Sequence, residues 1–317
     1  MILDEMIQKI QQSNKIAVFA HVNPDGDAMG SSLAMYLALK GLKKDVDIII
    51  PEHARCFDFM PSIDEIKTEG VGKYDLAIAL DCATQQRLAD PTSCFVNAKS
   101  NMQIDHHVSN SRYAEFDYVD PVAPACAQIL IRVLEYWDIE ITKEIGTCLL
   151  TGLITDTGGF AYEGVTAETF ELVADLLNKG INISKIYKRV LQTSSVSKFE
   201  LSKIATDRLE FFENGKITFT YITQDDEKSV NAEIGDYEGL VDIGRDIEGV
   251  EVSILLREVK DGGFKVSMRS NEYVNVSDIC IMFGGGGHIR AAGCTISNGT
   301  IEQIKEKIIS QTKRYLK

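Results

Sequence analysis

The chain has 317 residues, of which 44% are hydrophobic and 25% are charged, and its formal net charge at pH 7 is −14. This composition is that of a globular protein large enough for two hydrophobic cores, and no apolar run reaches the roughly 20 residues that span a bilayer. The negative charge argues against a long nucleic-acid duplex as partner, because duplex binding relies on broad basic surfaces. The amino terminus lacks the basic and apolar regions of a signal peptide, so a cytoplasmic location is expected.

The first half of the chain alternates between strand-like and helical patterns. Apolar runs predict strands at 15–20, 45–50, 74–80 and 101–104, and helical spacing predicts a helix at 28–40 that ends at Gly41. Further helices are predicted at 125–136, 142–154, 166–178 and 183–191. Strands separated by helices indicate an α/β fold with a doubly wound, mainly parallel sheet, in which ligands bind at the carboxyl ends of the strands.

The pattern changes near residues 192–198, where a polar, serine-rich segment predicts a domain boundary. We expect a first domain at 1–191, a linker and connecting helix at 192–209, and a second, smaller α/β domain at 210–317. In the second domain, strands are predicted at 217–222, 250–258 and 263–269, and helices at 236–247 and 301–316.

Acidic and histidine residues stand where several of these elements end in loops. They are His21, Asp25, Asp27, Asp81, Asp105, His106, His107 and Asp156. The carboxyl ends of parallel strands meet at one sheet edge, where so many carboxylates and imidazoles would be poorly solvated without cations among them. Two divalent ions would balance the aspartates at 25, 27, 81 and 156. The pattern therefore predicts a dinuclear metal enzyme.

Taken singly, these signals also have structural interpretations. Asp25 and Asp27 could simply cap the helix that follows them, and one acidic residue in a loop is often only solvated. The adjacent His106 and His107 are more specific, because successive side chains of an extended segment point to opposite faces. We therefore expect one of these imidazoles to bind metal and the other to face the substrate.

A glycine-rich segment in the second domain reads Phe-Gly-Gly-Gly-Gly-His-Ile-Arg-Ala-Ala-Gly at 283–293. Its N–H groups, together with His288 and Arg290, suit a phosphate group, although the segment is neither a Walker loop nor a dinucleotide-binding fingerprint. A flexible turn is the alternative. Arg269 and Ser270, at the end of a predicted strand, are either a second phosphate contact or ordinary surface residues.

Together, these motifs resemble motifs one to four of the DHH phosphoesterase superfamily, which is named after the Asp-His-His triplet at 105–107. The glycine-rich segment resembles the DHH-associated carboxyl-terminal domain of the RecJ-like and nanoRNase branch. The resemblance covers essentially the whole chain and is greatest to the bifunctional oligoribonuclease and 3′-phosphoadenosine 5′-phosphate (pAp) phosphatase subgroup. It implies an enzyme that degrades short oligoribonucleotides to mononucleotides and dephosphorylates pAp to AMP.

The resemblance also implies a role for each matched residue. Two divalent ions, Mn²⁺ with Co²⁺ or Mg²⁺ as substitutes, would be held by His21, Asp25 and Asp81 and by Asp27, Asp81, His106 and Asp156. His107 would contact the scissile phosphate or protonate the leaving oxygen, and Asp105 would orient a ligand histidine. The implied substrate-binding residues are Asn110, Arg269, Ser270, Gly285, Gly286, Gly287, His288 and Arg290.

Other functions stay open at this point. A linear or cyclic dinucleotide phosphodiesterase is hardly distinguished by sequence, and a manganese-dependent inorganic pyrophosphatase would share the metal motifs but not the glycine-rich segment. An inactive nucleotide-binding protein would be expected to lack at least one ligand. The expected partners are short single-stranded RNA or DNA and pAp, with no long duplex and no membrane. The apolar helices at 125–136 and 142–154 could form a homodimer face or lie in the core.

Overall fold

A computed structural model of the chain describes residues 2–259 and 262–317. The chain divides into two compact units, the first extending to Thr193 and the second comprising Ser194–Lys317. Among the described residues, every helix is too short or too polar to cross a lipid bilayer.

The first unit is built on a six-stranded sheet in which all neighbouring strands are parallel. Its strands are β1 (Lys15–Phe19), β2 (Asp45–Ile49), β3 (Ile66–Lys67), β4 (Leu76–Leu80), β5 (Asn101–Asp105) and β6 (Phe116–Val119). The spatial order β3-β2-β1-β4-β5-β6 reverses its direction between β1 and β4. Doubly wound sheets bind ligands at such a switch point. The predicted fold class is confirmed.

The helices of this unit flank the sheet. They are α1 (Ile2–Gln12), α2 (Gly26–Gly41), α3 (Cys94–Asn97), α4 (Cys126–Tyr136), α5 (Lys143–Asp156), α6 (Ala167–Asn178) and α7 (Ile183–Tyr187), which continues into a π-helical segment at Lys188–Gln192. Gly41 was expected to follow α2 but is its last residue, and α2 begins earlier than predicted because Asp25 caps it. The inner faces of α4 and α5 are buried in the core of this unit, as the core alternative predicted.

Small residues let α2 and α5 approach closely. A Cβ atom at Gly30 would collide with the carbonyl oxygen of Cys148, and one at Gly152 would lie 2.6 Å from Oδ1 of Asp27. A Cβ at Gly26, at the start of α2, would likewise collide with Thr155 near the end of α5. The packing therefore brings the amino-terminal turn of α2 against the carboxyl-terminal turn of α5.

The second unit contains another six-stranded sheet, in which β8 and β9 are parallel and the other neighbours are antiparallel. Its strands are β7 (Glu210–Phe212), β8 (Ile217–Ile222), β9 (Val252–Glu258), β10 (Phe264–Ser270), β11 (Gly286–Gly287) and β12 (Ala291–Ile296), in the order β11-β12-β10-β9-β8-β7. Its helices are α8 (Val196–Asp207), α9 (Gln224–Ser229), α10 (Asp242–Arg245), α11 (Val276–Ile281) and α12 (Ile301–Lys313).

One predicted helix of this unit is largely wrong. The helix expected at 236–247 is reduced to the single turn α10, Asp242–Arg245. Gly235 and Gly239 have φ values of +91° and +78°, which a right-handed helix cannot accommodate. The preceding residues therefore form turns, although their apolar spacing resembles that of a helix.

Candidate metal centre and substrate-binding residues

The carboxyl ends of β1, β4 and β5 form one continuous edge, because β4 pairs with both of the other strands. His21 and Asp81 follow the ends of β1 and β4, and Asp105 is the last residue of β5. The edge coincides with the switch point of the sheet. The loop from β1 into α2 adds Asp25 and Asp27 at the same place.

One group of possible metal ligands consists of His21, Asp25 and Asp81, whose ligand atoms lie within 4.8 Å of one another. Nε2 of His21 is 3.9 Å from a carboxylate oxygen of Asp25 and 3.9 Å from one of Asp81. Nδ1 of His21 lies 2.8 Å from the carbonyl oxygen of Val22. When Nδ1–H donates to that carbonyl, the lone pair stands on Nε2 and faces the two carboxylates.

A second group consists of Asp27, His106 and Asp156, again within 4.8 Å of one another. Nε2 of His106 lies 3.2 Å from Oδ2 of Asp156 and 3.4 Å from Oδ1 of Asp81. Its Nδ1 is 3.1 Å from the carbonyl oxygen of Ala123. The backbone thus fixes this ring in the same way as that of His21, with Nε2 directed at carboxylates.

Asp81 lies between the two groups. Its Oδ2 faces His21 and its Oδ1 faces His106, while the residue is only 1% exposed. Within the described part of the chain, Oδ1 accepts no hydrogen bond despite the 3.4 Å approach of His106, and a buried oxygen without a partner is costly. The backbone of Asp81 is also left-handed, with φ of +53°, a strained conformation that is concentrated at functional sites. These features fit a carboxylate that bridges two divalent cations.

The protonation states of the site reflect the crowding of its charges. Burial, reinforced by the charge of Asp81, raises the pKa of Asp27 to about 7, and burial raises the pKa of Asp156 well above its ordinary value. For Asp81, burial opposes ionisation, but the close approach of His106 and the charges of other histidines outweigh it and lower its pKa. Without cations, protons are therefore retained at this acidic cluster, and metal binding must displace them.

Asp27 has a structural role in addition to its position in the second group. Its carboxylate accepts hydrogen bonds from the backbone N–H groups of Cys126, at 2.5 Å, and Ala127, at 2.9 Å, which open α4. Asp25 caps α2 through the backbone N–H groups of Asp27 and Ala28, each at 3.0 Å. The capping interpretation is therefore correct for Asp25, whereas Asp27 caps a helix far away in the sequence.

Asp105 is fully buried and orients His107. Its Oδ1 accepts a hydrogen bond from Nδ1 of His107 at 2.8 Å. The sequence resemblance implied that Asp105 orients a ligand histidine, but its partner is His107 and not the possible ligand His106. Burial acts to lower the pKa of His107, but the hydrogen bond to Asp105 and the charges of Asp81 and Asp105 raise it above its ordinary value. The imidazolium form of His107 is therefore favoured.

Asn110, expected to contact substrate, has its side-chain amide engaged by the protein. Its Nδ2 donates to Oδ2 of Asp105 at 2.5 Å and to Oε1 of Gln103 at 3.0 Å. Its Oδ1 accepts the backbone N–H of Arg112 at 2.6 Å. Gln103, which the sequence analysis did not single out, is fully buried in the middle of β5. Gln103 is one of three alternating polar residues in β5, a pattern typical of a half-exposed strand, so no sequence signal marked this buried network.

In the second unit, two predicted phosphate ligands stabilise the turn after β10. Ser270 is buried, and its hydroxyl donates to the carbonyl oxygen of Val274 at 2.6 Å. Arg290 donates from Nη1 to the same carbonyl oxygen at 2.9 Å and from Nη2 to that of Glu272. The backbone N–H of Ser270 also donates to the carbonyl oxygen of Arg290 at 3.0 Å. The structure thus brings these residues together and uses most of their polar groups internally, while Nε of Arg290 is buried and has no hydrogen-bond partner among the described residues.

The glycine-rich segment contributes β11 to the edge of the sheet. A Cβ atom at Gly285 would collide with the carbonyl oxygen of Gly293, and one at Gly287 would lie 2.5 Å from that of Ala291. A Cβ atom at Gly286 would meet no other atom within 4 Å. Packing of β11 on β12 therefore explains two of the three predicted phosphate-binding glycines, and only the middle one has room beside its backbone.

His288 and Arg269 complete the predicted set. His288 is half-buried in the turn between β11 and β12, where its backbone N–H donates to the carbonyl oxygen of Ala291 at 2.8 Å. Arg269 is half-exposed; its Nη1 donates to its neighbour's carbonyl oxygen at 3.1 Å, and its Nε lies 3.7 Å from Oδ1 of Asp242. Both residues lie beside the turns that Ser270 and Arg290 stabilise.

Each of the two units matches a known protein family. Residues 15–153 match the DHH family, N-terminal domain, and residues 214–317 match the DHHA1 domain. A bifunctional oligoribonuclease and PAP phosphatase NrnA from Thermus thermophilus is 33% identical over 304 residues, which cover 95% of this chain and 90% of that protein. The protein of the same name from Mycoplasma genitalium is 26% identical, with 93% of each chain covered.

Among solved structures, an exopolyphosphatase-related protein from Bacteroides fragilis has a TM-score of 0.86 at 28% identity, covering 99% of this chain and 96% of that one. The resemblance noted from the sequence motifs is thereby confirmed. Matched in both domains and along nearly its full length, the chain belongs to the DHH phosphoesterase family and combines its DHH domain with a DHHA1 domain.

Proposed function

We propose that the protein is a two-metal phosphoester hydrolase that degrades short oligoribonucleotides to mononucleotides and dephosphorylates pAp to AMP. The observation that carries this proposal is the buried, unpartnered carboxylate oxygen of Asp81 between two groups of ligand atoms. The relatives from Thermus thermophilus and Mycoplasma genitalium are named for both activities, which supports the choice of substrates.

The two divalent ions would be held by the residues of the two groups. One ion would bind to His21, Asp25 and Asp81, and the other to Asp27, Asp81, His106 and Asp156. Mixed carboxylate and imidazole ligands suit Mn²⁺, with Co²⁺ or Mg²⁺ as substitutes. When bound, such a pair of ions supplies an activated water as nucleophile and neutralises charge on the phosphoryl oxygens.

The protein's own groups prepare the ligands for this task. The carbonyl oxygens of Val22 and Ala123 lie within hydrogen-bond distance of the Nδ1 atoms of His21 and His106, which directs both Nε2 atoms at the site. The lowered pKa of Asp81 keeps its carboxylate ionised at neutral pH. The backbone donors at the start of α4 hold Asp27 in one orientation. Few groups would then have to move when metal binds.

We assign the proton transfer to His107. Asp105 accepts a hydrogen bond from its Nδ1 at 2.8 Å, which fixes the orientation of the ring. The hydrogen bond to Asp105 raises the pKa of His107, which favours its imidazolium form. In that form Nε2–H can donate a proton to the leaving oxygen, which is a ribose hydroxyl in both RNA and pAp.

We assign binding of the rest of the substrate to the second unit. Arg269 and His288 are the candidates for contact with a distal phosphate, and the open space beside Gly286 would let that phosphate approach the backbone. The other predicted members, Ser270 and Arg290, would act chiefly by shaping the turns that present these groups.

The test is Mn²⁺-dependent hydrolysis of 5′-labelled RNA from two to about twenty nucleotides, with pAp, a cyclic dinucleotide and pyrophosphate assayed in parallel. We expect the rate to fall steeply with RNA length and phosphate to be released from pAp. Hydrolysis of pyrophosphate alone, or of the cyclic dinucleotide alone, would replace the proposal with the corresponding alternative. Bound Mn²⁺ without turnover of any substrate would indicate a nucleotide-binding protein.

A further inference from the structure

Arg87 belongs to a segment that is hydrogen-bonded to the loop carrying His21. The carbonyl oxygen of Arg87 accepts the backbone N–H of Val22 at 2.7 Å, and the N–H of Ala89 donates to the carbonyl oxygen of Ala20 at 3.0 Å. These two bonds lie on either side of His21 in the sequence. They fix the backbone of Arg87 beside the first group of metal ligands.

The side chain of Arg87 lies at the same place. Its Nη2 is 3.5 Å from Nδ1 of His21. That nitrogen is on the edge of the ring opposite Nε2, so the guanidinium does not compete for the position that faces the carboxylates. The Arg87 side chain is exposed to solvent. It is therefore a cation at the rim of an acidic site.

Arg87 is not neutralised by any of the nearby acids. Among the described residues, no carboxylate lies within ion-pair distance of its guanidinium, whereas Arg132 of the same unit pairs with both Asp120 and Glu168. A guanidinium offers donors in a fixed fork that matches two oxygens of a phosphate group. An unpaired arginine at the edge of a carboxylate-rich centre is available to a ligand that is itself an anion.

We propose that Arg87 binds a phosphate group of the substrate at the His21 edge of the metal centre. This inference rests on the proposed function, because it presumes a phosphoester at the site. The contact would hold the substrate in place and offset its repulsion by the aspartates. Arg87 is then a substrate-binding residue in addition to those matched from the family motifs.

The experiment compares Arg87→Gln and Arg87→Lys with Lys40→Gln. Lys40 is exposed near the far end of α2, about 21 Å from the start of that helix at 1.5 Å per residue, so its variant removes one charge away from the site. Kinetics are measured on pAp, a dinucleotide and bis(p-nitrophenyl) phosphate with Mn²⁺. We expect Arg87→Gln to lower kcat/KM about 10- to 100-fold on all three. Arg87→Lys should retain an intermediate value, and Lys40→Gln should stay within about twofold.

Titration of the same variants with Mn²⁺, and of the Mn²⁺-loaded proteins with inorganic phosphate, separates binding from structural support. We expect Mn²⁺ affinity and Tm to be unchanged in Arg87→Gln while phosphate affinity falls about tenfold. Unchanged phosphate affinity, or a parallel loss of Mn²⁺ affinity, would overturn the assignment. If the wild-type protein hydrolyses neither nucleotide, the proposed function fails, and the phosphate titration still decides the role of Arg87.

Discussion

The candidate metal centre and the glycine-rich segment were both predicted from dense motifs, but their polar groups are used differently. In the first unit, Asp81 keeps a buried oxygen that accepts no hydrogen bond from the described residues, between two histidines whose Nε2 atoms face carboxylates. In the second unit, Ser270 and Arg290 donate to backbone carbonyls of their own domain, and of these donors only Nε of Arg290 is buried without a partner among the described residues. The comparison teaches that a buried carboxylate oxygen between two groups of ligand atoms marks a binding site more sharply than the density of a motif.

The largest effect on activity is expected from a substitution of Asp81. Asp81→Asn removes one charge from the carboxylate shared by both ligand groups, so both ions should lose a ligand. We expect Mn²⁺-dependent hydrolysis of pAp and dinucleotides to fall by at least about 10³-fold, and Mn²⁺ binding by calorimetry to weaken strongly. Asp64→Asn, at an exposed position of the same unit, is the control and should retain full activity. Retained metal binding in Asp81→Asn would remove the basis of the comparison.

The Asp105–His107 pair gives the second prediction, which concerns pH. Asp105 raises the pKa of His107, so Asp105→Asn should lower that pKa. A general acid is active below its pKa, and the alkaline limb of the kcat profile should therefore move to lower pH, with a loss of about 10²-fold at neutral pH. The measurement is the pH dependence of kcat on pAp. A uniform loss at all pH values, with no shift of the limb, would contradict proton donation by His107.

The third prediction concerns Arg290 in the second unit, where we expect an effect mainly on stability. Arg290→Gln should lower the free energy of unfolding by about 1–3 kcal/mol, because it removes charged hydrogen-bond donors from two carbonyl groups. Ser270→Ala, which removes the other donor to the Val274 carbonyl without changing a charge, is the matched variant. If only Arg290→Gln raises KM for short RNA while hydrolysis of an aryl phosphodiester is unchanged in both, then Arg290 also binds substrate. Equal KM values in the two variants would leave Arg290 a structural residue.

Much of the first unit could be predicted because its signals are local. Apolar runs of strand length and the polar residues directly after them place His21, Asp81 and Asp105 at one edge once the strands are parallel. The hydrogen bonds that orient these side chains could not be predicted, since the carbonyl of Ala123 and the backbone donors of α4 come from distant segments. For the same reason the contact of Asp27 with the start of α4 and the role of Gln103 were missed.

In the second unit the sequence was less informative, for a physical reason. Glycines suit a phosphate loop and a tightly packed sheet edge equally well, because both need close approach of the backbone. Which one applies is decided by the neighbouring strand β12, whose carbonyl oxygens stand where Cβ atoms at Gly285 and Gly287 would be. The helix expected at 236–247 failed similarly, since apolar spacing alone does not reveal the positive φ of Gly235 and Gly239.

The last prediction concerns a pair of glycines in α2 and tests how packing positions the metal ligands. Gly30→Ala places a Cβ against the carbonyl oxygen of Cys148 and should force α2 and α5 apart, at a cost of about 1–3 kcal/mol in unfolding free energy. Gly41→Ala, in the same helix, meets no atom within 4 Å and should stabilise the protein by about 0.5–1 kcal/mol. Because Asp27 lies on α2 and Asp156 on α5, only Gly30→Ala should also weaken Mn²⁺ affinity, measured by calorimetry on folded protein. Equal Mn²⁺ affinity in the two variants would mean that the second ligand group does not depend on the close approach of these helices.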